Sequence, residues 1–99
     1  MIPNLDALWT KHARWTVSRL GLTSVITELA LVIAEHDWQV ESRRGGPGSA
    51  VICRPGKPDL HMRIRRSPPA ILLLDSSRNG RTVASFRTWG DVQRWRQTA

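Results

Sequence analysis

The stretch His61-Met62-Arg63-Ile64-Arg65-Arg66 alternates apolar side chains with an imidazole and guanidinium groups. In an extended strand, side chains two residues apart emerge from the same face. If Leu60, Met62 and Ile64 turn inward, then His61, Arg63 and Arg65 must project together from the other face, with Arg66 at the strand's end. Such a row neutralises phosphates and displaces their counterions, which gives salt-sensitive affinity for a polyanion. Arg43, Arg44 and Arg54 on the preceding hairpin are expected to border this surface, and Arg78 and Arg81 to crown the following one. Glu41 and Asp59 would neutralise part of the charge.

The overall charge is distributed in the same sense. Of the 99 residues, 1–41 hold three basic groups against five acidic ones, whereas 42–99 hold twelve against three, for a net charge of +7. Only Lys11 and Lys57 are lysines. Arginine carries a planar donor fork that fits phosphate, carboxylate and base edges, and it stacks on rings. A genome rich in G and C produces the same arginine bias, so composition alone assigns it no role.

Catalytic chemistry has little to stand on. General acid–base work needs two titratable groups within reach of one substrate atom. His12 falls on the inward side of the first expected helix, and His36 in the tail of the second beside Asp37, where capping or a dipole interaction suits it. His61 alone would stand in the basic surface, without an acid–base partner. The histidines lack metal-ligand spacing, and the single Cys53 excludes an internal disulfide or a multi-cysteine zinc site. Cys53 shares a strand face with Val51 and reads as a buried, inert thiol. Gly45-Gly46-Pro47-Gly48 lacks the lysine and the following helix of a phosphate loop. No catalytic residue, metal or cofactor is expected.

The elements that must position these groups follow from periodicity. Leu5, Leu8, Trp9, His12, Thr16 and Leu20 recur at helical spacing, with Trp15 and Val17 at the margins, which predicts a helix over 5–20. Gly21 breaks it, and Thr23 or Ser24 is placed to cap a second helix running to about His36. Leu22, Val25, Ile26, Leu29, Val32 and Ile33 form its main face, yet Leu31 lies opposite, so this helix is expected between helix one and a sheet. From Trp38 the period becomes two. Strands are expected from Trp38, over Ala50 to Arg54, from Leu60, over Ala70 to Leu74, and over Thr82 to Arg87. Ala70 to Leu74 is apolar on both faces, hence central or covered. Asn79-Gly80 is a hairpin signal. Thr88-Trp89-Gly90-Asp91 has capping-box spacing before a short helix expected to turn Trp89, Val92 and Trp95 inward.

The fold class is therefore α+β. Two N-terminal helices pack on an antiparallel β-meander of four to five strands, closed by a short C-terminal helix, and residues 1–99 form a single domain. The longest apolar run, Leu29 to Ala34, is far below the roughly 20 residues of a membrane span. Without a recognisable secretion signal, the cytoplasm is the expected location.

From Leu29 to Arg54 the chain reads helix, tryptophan, strand, Arg-Gly-Gly hairpin, strand. This order resembles double-stranded RNA-binding domains and small RNA-cleaving toxins of the HicA type. Those toxins carry a catalytic histidine at the start of the second strand, where this chain has Ala50 and Val51. The pattern therefore assigns no family.

Taken together, the residues predict a small non-enzymatic protein that binds or regulates nucleic acid through its phosphate backbone. The first contacts would be Arg63, Arg65 and Arg66, then Arg43, Arg44, Arg54, Arg78, Arg81 and His61. Single-strand platforms usually interleave exposed aromatics with cations, and this stripe has none. The alternative is a protein-interaction module of the phage or mobile-element inhibitor type, which sets the same arginines against an acidic protein surface. Its apolar contacts would be Leu31 and Trp15, the latter the tryptophan best placed for a partner although burial is expected. A ribonuclease toxin using His61 is the third reading.

Overall fold

In the computed structural model the chain runs α1 (Lys11–Arg19), α2 (Thr23–Glu35), β1 (Gln39–Ser42), β2 (Ala50–Cys53), β3 (Leu60–Arg66), β4 (Pro69–Asp75), β5 (Arg81–Phe86) and α3 (Trp89–Arg96). It describes residues 11–42, 49–75 and 80–98, and side chains from residue 15 onward except that of residue 42. The expected α+β arrangement is present, with all five strands in one antiparallel sheet of order β1-β2-β3-β4-β5.

Gly21 turns the chain between the helices. Its φ of 70° is left-handed, which glycine adopts without a side-chain penalty. The Leu22 N–H donates to the Val17 carbonyl and the Gly21 N–H to that of Ser18, the pairing of a Schellman motif. Leu22 and Val17 are both buried, giving the apolar contact that accompanies this motif. Leu22 also stands at the N-cap of α2, and no side chain caps that helix. Thr23 and Ser24, expected as caps, lie one and two residues too late. At the other end His36 is the C-cap, with Nδ1 2.9 Å from the Val32 carbonyl. Asp37 follows at φ 54° and repeats the Schellman pairing through Trp38 N–H to Ile33 O.

α2 buries Val25, Ile26, Leu29, Ala30, Val32 and Ile33. Of these, Val25, Ile26, Leu29, Val32 and Ile33 join Val17, Val92 and one alternate set of sheet residues in a single core: Ala50, Ile52, Leu60, Met62, Ile71, Leu73 and Phe86. Each fully buried aliphatic side chain of this size contributes about 1.5–3 kcal/mol of transfer free energy. α3 packs against α2 and β5. Its capping box forms, with Asp91 Oδ2 accepting from the Thr88 N–H at 3.0 Å and the Arg87 N–H at 2.8 Å. Those donors, then the Arg94 charge, hold the Asp91 carboxyl below its ordinary value against a smaller opposing effect of burial. Gln93 bonds Glu28 and Arg96 pairs with Glu35, which ties α3 to α2.

Three packing expectations are corrected. Leu31 is 44% exposed, so α2 is covered by the sheet along its main face and open behind. Trp15 is 58% exposed and lies under the Arg19 guanidinium, 5.2 Å from the ring centroid. Trp89, expected to point inward, is 57% exposed. As the first residue of α3 it lies before the turn that reaches the core, whereas Val92 is buried and Trp95 packs on Phe86 and Trp38. Trp9 and the Gly45 to Gly48 turn lie outside the described residues, as does the side chain of His12. Among the described residues, no helix is long and apolar enough to cross a membrane.

Candidate nucleic-acid interface

β3 is the middle strand of the sheet, paired through all seven residues with β4 and through three with β2. Its register settles which side chains share a face. Leu60 and Met62 are buried in the helix-side core and Ile64 packs against it. His61, Arg63 and Arg65 therefore emerge on the opposite face, where Arg63 is exposed and the other two are part-buried. Among the described residues, no helix side chain is grouped with that face. Its buried members, Val51 and Ala70, lie outside the helix-side core.

The neighbours of this row are specific. His61 stands opposite Leu74, Arg63 opposite Leu72, and Arg65 opposite Ala70. Leu72 and Leu74 are part-exposed and do not join the helix-side core. On the other flank, Val51 separates His61 from Glu41 of β1. The face thus carries a cationic column on β3 beside an apolar column on β4. Val83 lies beside this column on β5. It is the residue left over where β5 slips register against Leu73 and Leu74, and it is 49% exposed. That irregularity is a β-bulge, which re-aims side chains and increases local twist.

Among the described residues no carboxylate pairs with Arg63, Arg65 or Arg66. Arg65 donates through Nε to the Pro68 carbonyl at 3.0 Å, which fixes its direction and leaves its terminal donors available.

Other expected contacts lie elsewhere. Arg66 alternates to the helix side at the rim of the sheet, exposed and opposite Pro69. Arg54 does not border the stripe. It follows Cys53 at the end of β2, donates through Nε and Nη2 to the Pro58 carbonyl at 3.2 and 2.9 Å, and stacks 5.8 Å from the Trp38 ring centroid. Burial lowers its affinity for its proton, and Asp75 and Asp59 oppose that effect. Arg81 faces Asp75, which in turn faces Leu60, so it sits at the end of the sheet remote from Arg65. Arg43, Arg44 and Arg78 lie outside the described residues. Cys53 is part-exposed and not the buried thiol expected.

Sequence reasoning passed over Leu72 and Leu74 as members of the site. The signal was present, because a strand apolar on both faces must be covered on both or expose one. Among the described residues, no group of three His, Cys, Asp or Glu is gathered as a metal site. The chain matches no protein family, curated protein or solved structure to which it was compared.

Proposed function

We propose that this domain binds nucleic acid through the phosphate backbone, using the open sheet face, and acts in the cytoplasm as a non-enzymatic binding or regulatory protein. The observation that carries the reading is the common direction of His61, Arg63 and Arg65 on the sheet face opposite the helix-side core. Neutralising two or three phosphates gives a log–log salt slope of about −2 to −3 on duplex DNA. Arg66 and Arg81, at opposite ends of the sheet, add long-range attraction more than contact. The test is fluorescence anisotropy with labelled DNA and RNA across a salt series. Association that weakens linearly on the log–log plot supports the reading, and no association at low salt removes it.

A protein-interaction reading is favoured by a different observation. Trp15, Leu31 and Trp89 are all exposed on the helices, although large apolar side chains are normally withdrawn from water where packing allows. In that case an acidic partner protein is held after nuclease treatment, and Trp15→Ala and Leu31→Ser release it while Arg63→Ala acts only through charge.

A further inference from the structure

The two columns of the open face differ in chemistry, and a duplex can satisfy only one of them. Five strands separated by about 4.8 Å form a face about 19 Å across, wider than the major groove of about 12 Å. An interior strand such as β4 cannot enter a groove edgewise. A duplex laid on this face would meet it with sugar and phosphate ridges. Leu72 and Leu74 would then lose water without gaining an apolar partner. A single strand presents both surfaces at once, anionic phosphates along one side and unstacked base faces along the other.

We infer that the nucleic acid taken by this face is single-stranded, with phosphates on the His61–Arg63–Arg65 column and bases laid over Leu72 and Leu74. This rests on the nucleic-acid reading above. The cross-strand pairs Arg63 with Leu72 and His61 with Leu74 set each cationic or imidazole group beside an apolar one. Successive members of a column are about 6.7 Å apart along the strand. The floor is aliphatic where single-strand binders commonly use aromatic rings, so each base is held by packing more than by π-stacking.

The experiment compares one labelled sequence as single-stranded DNA, single-stranded RNA and duplex, at equal phosphate concentration, by anisotropy. The single strands are expected to bind at least about tenfold more tightly than the duplex, by the apolar contact that only they make. Leu72→Ser should weaken single-strand binding about three- to tenfold and leave duplex binding unchanged. Leu72→Phe, which keeps an apolar strand residue, should strengthen single-strand binding by a similar factor through base stacking. Arg63→Ala should weaken both ligands. Equal affinity for single strand and duplex, with both Leu72 variants neutral, overturns this inference and leaves the phosphate-binding reading standing. Binding of neither ligand removes both. The two single-strand arms decide whether a 2′-hydroxyl matters.

Discussion

Arg63 on β3 and Leu72 on β4 face each other across the sheet ladder, on the side away from the helices. An exposed guanidinium beside a part-exposed leucine, in the middle of a sheet and not at its margin, is where charge and apolar surface can act on one ligand. The arginines of this chain are therefore not equivalent.

Substituting Arg63 or Arg65 by alanine should each reduce the magnitude of the salt slope by about 1. Arg63→Ala should leave stability within about 0.5 kcal/mol, because the side chain is exposed and bonds nothing among the described residues. Arg54→Ala should do the reverse. It leaves the slope unchanged and costs about 1 kcal/mol through its stacking on Trp38 and its bonds to Pro58. Anisotropy and urea unfolding on the same variants separate the two behaviours.

Replacing Gly21 with alanine should cost about 1 kcal/mol. A Cβ there meets nothing within 4 Å, so the cost is that of the left-handed backbone alone. Asparagine, which tolerates that conformation better, should cost less. Urea midpoints for the two variants check the order.

On α2, Leu29→Ala should cost about 3 kcal/mol, as for other fully buried leucines. Leu31→Ala, two residues on, should stay within about 0.5 kcal/mol. Equal losses at the two positions would mean that α2 is covered on both sides in solution.

The capping carboxylate makes α3 sensitive to acid. Asp91 is held below its ordinary 3.8 by the Arg87 and Thr88 N–H groups, so its folded-state pKa lies below its unfolded one. Its contribution is complete above the unfolded value and is lost as pH falls through the folded value. Asp91→Asn should destabilise the protein near neutral pH by about 0.5–1 kcal/mol. The gap should close as acid protonates the wild-type side chain. Tryptophan fluorescence follows this through Trp95, which packs on Phe86 and Trp38.

Much of this architecture is legible in the order of residue types. The change of period at Trp38 marks the start of the sheet, and the alternation from Leu60 to Ile64 assigns the face of every residue in β3. Thr88 and Asp91 announce α3 by their spacing alone. Less legible was what each surface would meet. A helical wheel ranks Trp15 and Leu31 by direction, but whether another element arrives to cover them depends on tertiary packing. Arg54 follows the same logic. Its sequence neighbours suggested the basic face, yet the strand ends at Cys53, and the turn carbonyl of Pro58 together with Trp38 captures the guanidinium. Leu72 and Leu74 were visible as apolar residues, but their role needed the register that sets them beside Arg63 and His61.

The slip between β4 and β5 bears on how this border of the sheet would meet an added strand. A regular border strand offers an uninterrupted line of backbone donors and acceptors, on which a further chain can polymerise. With Val83 inserted, that line is broken and more strongly twisted, and an incoming strand cannot match it over its length. Growth of the sheet at this border is thereby hindered.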